Sequence, residues 1–258
     1  MKLKTWISGV TAAVGLLVGG QAAAVPVGLE LMLLVDVSGS VNATEYNLQK
    51  TGYVNAFNDP TVQNAILASQ GAAIAVTYIE WSGVSEQSTR VVWTLINSVA
   101  SAQAFATALS GVTRAFSGST AVQTAINSQY LGFGTEVGST SNGFESLRQV
   151  IDVSGDGADN NSNVAGATGR NNALAAGVDT INGIAILGEA GLATYYQNNV
   201  VGGTNAFYSQ AATFADFDVA IQRKLTREIR NDTPEPASLA LMGVALAGLV
   251  VSRRRRKS

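Results

Sequence analysis

The chain has 258 residues, lacks both cysteine and histidine, and carries a formal net charge of −2. That composition excludes disulfides, thiolate chemistry and any imidazole acting as metal ligand or general base. Residues 25–230 hold 9 Lys and Arg against 16 Asp and Glu, a balance of −7 with no basic stripe, which argues against a nucleic-acid partner.

Met1-Lys2-Leu3-Lys4 gives a basic start, Trp6 to Gly20 an apolar core, and Ala22-Ala23-Ala24 a small-residue cleavage pattern. Together they predict an export signal over residues 1–24, cut after Ala24. Residues 25–230 are long enough for one domain with a sizeable core.

The domain opens on the aliphatic run Leu29-Glu30-Leu31-Met32-Leu33-Leu34-Val35, which suits a strand buried on both faces. The run ends in Asp36-Val37-Ser38-Gly39-Ser40, three oxygen-bearing side chains on one tight loop. Ligands of open α/β sheets bind outside the carboxyl ends of the strands. Hard oxygens at such a point suit Mg²⁺, Mn²⁺ or Ca²⁺ better than zinc or copper.

A helix follows, with Asn42-Ala43-Thr44-Glu45 as its capping box and Asn58-Asp59-Pro60 as its stop. Ala72 to Trp81 reads as a second strand and Thr89 to Ile96 as a third, joined by a hairpin link at 82–88. Ala100 to Leu109 reads as a helix, 111–119 as a loop, and Thr120 to Tyr130 as the next helix. The stretch 132–143 is rich in Gly, Ser and Thr and reads as loop. Ser146 to Val153 makes a fourth strand, ending in Ser154-Gly155-Asp156-Gly157. A polar loop at 156–169 leads to a helix at 170–176, then a strand at 180–187 and a short helix at 192–199. A sixth strand is expected at 206–210 and a closing helix at 214–230, striped by Phe214, Phe217, Ala220, Ile221, Leu225 and Ile229. Strands alternating with helices indicate an α/β layer fold. Leu33, Val35, Val150, Ile151, Ile184 and Ile186 are its expected central core.

The Asp36/Ser38/Ser40 loop, the distant Thr120 and the later Asp156-Gly157 occur in the order of the metal-ion-dependent adhesion site of the von Willebrand factor A domain, which this sequence resembles. The resemblance implies a Rossmann-like fold: a mostly parallel central sheet with one antiparallel edge strand and helices on both faces. It also implies a metal site of Asp36, Ser38, Ser40, Thr120 and Asp156. By that likeness Ser38, Ser40 and Thr120 bind Mg²⁺ directly (Mn²⁺ or Ca²⁺ being alternatives), Asp36 and Asp156 bind directly or through water, and a partner carboxylate completes the coordination. Ile79-Glu80-Trp81-Ser82, Val150 to Gly157 and Arg223 to Ile229 resemble a bacterial branch of that superfamily with no agreed function. This second likeness speaks to the fold rather than to the ligand.

At the far end, Pro234-Glu235-Pro236 precedes fifteen uncharged residues, Ala237 to Val251, and then Arg253-Arg254-Arg255-Arg256-Lys257. Fifteen residues fall short of the ~20 that span a bilayer comfortably, and the basic cluster stays cytoplasmic. This end resembles the PEP-CTERM sorting signal, with residues 231–236 as linker and 237–258 as sorting tail. The resemblance implies a transient inner-membrane anchor, processing by an exosortase, and a destination in the cell envelope or outside the cell.

The function expected from these readings is exported, metal-dependent binding or adhesion to a protein or matrix ligand offering a carboxylate. The alternatives are a structural matrix or envelope component braced by the metal, and a metal-assisted hydrolase, which would need a carboxylate as its base. No Gly-x-Ser-x-Gly or Ser-x-x-Lys motif occurs between residues 25 and 230, so the reading is not an enzyme. Glu80-Trp81 and Tyr195-Tyr196 are read as packing residues or as flanks of the metal face. Asp159, Asn160, Asn161 and Asn163 are read as turn formers rather than a calcium loop. The acceptor patterns at Asn42 and Asn231 are read as accidental.

Overall fold

The computed structural model describes residues 23–230, so the expected export signal, up to residue 22, and the linker (231–236) and sorting tail (237–258) lie outside the described residues. A short strand β1 (Val25–Val27) leads into β2 (Glu30–Asp36), in which all seven residues are buried. Alternate side chains of β2 serve opposite layers. Leu31, Leu33 and Val35 enter one core, and Met32 and Leu34 the other.

Helix α1 (Ala43–Asn58) starts on a capping box: Asn42 accepts from the Thr44 and Glu45 amides, while Glu45 accepts from the Asn42 amide. The stop expected at Asn58-Asp59-Pro60 is also a start. Asp59 accepts from the Thr61 and Val62 amides, and Pro60 occupies the first turn of α2 (Pro60–Ala68), where no amide donor is needed.

Strand β3 (Ile74–Trp81) pairs in parallel with β2, and β4 (Gln87–Ile96) folds back antiparallel on β3 as a sheet edge. Helices α3 (Val99–Ser110) and α4 (Val122–Gln129) follow. The stretch expected to be loop contains 3₁₀ turns over Tyr130–Val137. The fourth strand divides into β5 (Phe144–Ser146), which pairs with β1, and β6 (Gln149–Gly155), which pairs with β2. Helix α5 (Thr168–Ala176), strand β7 (Thr180–Ile186) and helix α6 (Leu192–Tyr195) come next, the last running into a π turn at Tyr196–Val200. Two short strands, β8 (Gly202–Gly203) and β9 (Tyr208–Ala211), pair with β7, and α7 (Phe217–Arg230) closes the domain.

The main sheet runs β4-β3-β2-β6-β7, with β8 and β9 both against β7. It is parallel except for the expected edge β4 and for β8, a two-residue antiparallel addition. Helices α1, α2, α3 and α7 cover one face around Tyr53, Phe57, Phe105 and Phe217, whose rings pack edge to face. Helices α4, α5 and α6 cover the other face. Leu33, Val35, Val150, Ile184 and Ile186 are buried in the first of these layers and Ile151 in the second. The strand order reverses between β2 and β6, which opens a crevice at their carboxyl ends.

One feature of α7 departs from its simple apolar stripe. Lys224 and Glu228 are buried with it: Lys224 Nζ reaches Asp152 Oδ1 in β6 at 2.7 Å and also pairs with Glu228, which accepts from Asn182 Nδ2 at 2.9 Å.

Candidate metal centre

The crevice is where the five residues singled out in the sequence converge. Asp36 is the last residue of β2, and its Oδ1 accepts from the Ser38 amide at 2.8 Å, which curls the loop back over the strand end. From there a chain of hydroxyls crosses the crevice. Thr120 Oγ1 donates to Ser38 Oγ at 3.3 Å, Ser38 Oγ lies 3.1 Å from Ser40 Oγ, and Ser40 Oγ donates to Asp156 Oδ1 at 2.7 Å. Burial grades along the set: Asp36, Ser38 and Thr120 are buried, Asp156 is half-buried and Ser40 is exposed. Ser40, Thr120 and Asp156 line an open pocket together with Gly157, Asp159 and Glu189.

The electrostatics favour a cation. Burial pushes the Asp36 carboxyl up to about 7, against the Ser38 hydrogen bonds, and the neighbouring Asp156 adds to the rise. Asp156 is also raised, first by burial and then by the carboxylates of Glu45 and Glu189, although its bond from Ser40 pulls the other way. Two carboxylates held near each other in a shielded crevice are each easier to ionise beside a positive charge.

Asp36 Oδ2 is buried and has no hydrogen-bond partner, an arrangement that costs free energy unless something serves it. Two carboxylates and three hydroxyls make an all-oxygen set of low charge, the chemistry of a hard divalent cation. No group of three or more Asp or Glu residues gathers into a metal cluster among the described residues, so hydroxyls would form the larger part of any such coordination here.

Several supporting residues were not anticipated. Arg114 clamps the Asp36–Ser40 loop from behind: Nη2 donates to the carbonyls of Val37 at 2.8 Å and Ser38 at 2.7 Å, and Nε donates to Phe116 O at 2.7 Å. The two loops are joined directly where the Gly39 amide donates to Gly118 O at 2.7 Å. Glu80 packs beneath them, accepting from Tyr46 Oη at 2.7 Å and from the Ala115 amide at 2.8 Å, so its role is to hold the loop that carries Thr120.

The polar loop after Asp156 does more than turn. Asp159 accepts from the Gln123 amide at 2.9 Å and Ser162 Oγ from the Thr124 amide at 3.0 Å, which caps α4 from outside its own chain segment. Asn160 accepts from the Thr120 amide at 3.0 Å. Glu189, beyond β7, accepts from the Ala158 amide at 2.8 Å and so fixes a third carboxylate at the pocket rim. Asn42 serves as the cap of α1.

Comparison with known proteins bears on the family and the fold. Residues 26–233 match the model of a family described as "Protein of unknown function (DUF1194)", and residues 232–256 match the PEP-CTERM protein-sorting motif. No curated protein matches the sequence. Proximal thread matrix protein 1 from the mussel byssus, solved with a zinc-occupied MIDAS motif, superposes with a TM-score of 0.57 at 12% identity, covering 80% of this chain and 49% of that one. The pilus adhesin SpaC from Lactobacillus rhamnosus GG superposes at 0.56 and 15% identity, covering 79% and 31%. This chain therefore spans about half of the first and a third of the second, and at such identity the likeness is one of fold.

Proposed function

The chain belongs to the DUF1194 family, has the von Willebrand A fold and carries a PEP-CTERM sorting motif, and on that premise we propose that it is an exported protein that binds a partner through a divalent cation. The carrying observation is the hydrogen-bonded chain Thr120–Ser38–Ser40–Asp156 across the crevice, joined to Asp36 through the Ser38 amide, with one buried oxygen of Asp36 unpartnered. Ser38, Ser40 and Thr120 would hold the ion through hydroxyls, with Asp36 and Asp156 supplying the negative charge. Mg²⁺ is the expected ion, with Mn²⁺ or Ca²⁺ as substitutes.

When bound, the ion supplies a residual positive charge for a carboxylate offered by a protein or matrix partner. The chain's own residues prepare that contact. Arg114 and Glu80 fix the two loops, and the Ser40–Asp156 bond keeps the exposed rim in register. The sorting motif supports export with a transient membrane anchor and exosortase processing. The similar folds of an adhesin and a matrix protein support adhesion over catalysis. The matrix protein also favours a second reading, a structural matrix component in which the cation only braces the fold.

Retention of the protein on immobilised envelope or matrix fractions, with Mg²⁺ and then with chelator, separates the two. Binding released by chelator and lost in Asp36→Ala supports the adhesive reading. Binding that persists in chelator supports the structural one.

A further inference from the structure

The Tyr195-Tyr196 pair has no part in the site described so far. Tyr196 opens the π turn after α6, is wholly buried, and leaves its hydroxyl without a hydrogen-bond partner. Asp36 Oδ2, at the end of β2, is likewise buried and unpartnered, as is the hydroxyl of the adjacent Tyr195. The Tyr196 hydroxyl and Asp36 Oδ2 face one spot: each lies 2.7 Å from where a Cβ on Gly155 would sit, so at most twice that distance separates them.

Gly183 on β7 clears the ring in the same way, since a Cβ there would fall 2.8 Å from Tyr196 Cδ1. Two glycines on neighbouring strands thus open a slot through which the phenol crosses β7 and β6 to the end of β2. A phenylalanine would fill that slot without burying an unpaired hydroxyl, which costs about 1–3 kcal/mol. The backbone is unusual at the same place, because single π turns are rare and recur at functional sites. The turn is also tied to the helix that follows Thr120, through Gln123 Nε2 donating to Asn199 O at 3.0 Å.

We propose that Tyr196 is a positioning residue of the metal centre: its hydroxyl, which makes no hydrogen bond in this structure, becomes the donor to the buried oxygen of Asp36 when a cation binds and so fixes that carboxylate. The proposal rests on the metal-site reading above. It assigns the π turn a purpose: Tyr196 reaches Asp36 while Asn199 is held from α4, so the 192–200 segment is braced between the two loops that carry the ligands. Donors behind metal-binding carboxylates are typically worth 10–100-fold in metal affinity.

The test is calorimetric titration of the full chain with Mn²⁺, comparing wild type, Tyr196→Phe, Tyr195→Phe and Asp36→Ala, with melting temperatures taken in chelator. Tyr196→Phe is expected to bind Mn²⁺ about 10-fold more weakly, with a metal-free melting temperature equal to or above wild type, and to lose a Mn²⁺-induced near-ultraviolet tyrosine signal. Tyr195→Phe should match wild type in affinity. A merely structural tyrosine would instead lower the melting temperature and leave the affinity unchanged. Equal affinity in Tyr196→Phe and wild type, with binding abolished in Asp36→Ala, overturns the role of Tyr196 and leaves the metal site standing. No Mn²⁺ binding by wild type overturns both.

Discussion

Asp36 shows how one side chain can be costly to the fold and necessary to the site. Its carboxyl is wholly buried and raised from an ordinary 3.8 to about 7, chiefly by that burial. A carboxyl whose folded value lies above its unfolded value is held against ionisation. Its penalty is absent below about pH 4 and grows as the pH rises towards 7. Asp36→Asn keeps the acceptor for the Ser38 amide and removes the charge. In chelator at pH 8 the variant should be more stable than wild type, by at most about 4 kcal/mol, and at pH 4 the two should melt together. Mn²⁺ should reverse the order at pH 8 by stabilising wild type alone. Thermal melts at the two pH values decide the matter, and a wild type that remains the more stable protein in chelator at pH 8 would refute the assigned cost.

Helix α7 illustrates what a side-chain pattern does and does not reveal about an element. The apolar stripe gives no sign of Lys224 and Glu228, four apart on the helix, yet both are buried against Asp152 of β6. Glu228 is raised to about 8, first by burial and then by Asp152, while Lys224 opposes the rise. Lys224→Met would leave two carboxylates buried without their cation and should cost about 3–5 kcal/mol, measured by denaturant unfolding at pH 7. A loss below about 1 kcal/mol would mean the trio is not held as described.

The same limit explains which parts were legible beforehand. Strands β2, β6 and β7 announce themselves by apolar runs, and α1 by its capping box. The site residues stand out because carboxylates and hydroxyls follow such runs directly. Helix α2 was missed because Asp59-Pro60 ends one helix and begins another with the same two residues. Arg114 was missed because its partners are main-chain carbonyls 76 and 77 positions away, which no local spacing encodes. Tyr196 stayed ambiguous between a packing residue and a flank of the metal face because its approach to Asp36 depends on two glycines in other strands.

At the scale of the whole domain, the candidate site and the end of α7 occupy opposite poles. The ligand set sits at the carboxyl ends of β2 and β6. Arg148, just before β6, donates to the carbonyls of Glu228 and Ile229, so the end of α7 lies at the other end of the sheet. The polypeptide therefore leaves towards the sorting motif at 232–256 from the pole away from the metal centre. Intact-mass measurement of native material should find a protein that starts near Val25 and lacks the arginine tail; a species retaining residues 1–24 or 253–258 would count against this processing. The proposed function rests on a bound cation, and calorimetric titration with Mg²⁺ and Mn²⁺ in the presence of acetate, on wild type and Asp156→Ala, tests it most directly. Wild type should bind both ions and Asp156→Ala should bind at least about 10-fold more weakly, with Ser85→Ala in the β3–β4 link unchanged. Binding of neither ion by wild type, or equal binding by Asp156→Ala, would contradict the account.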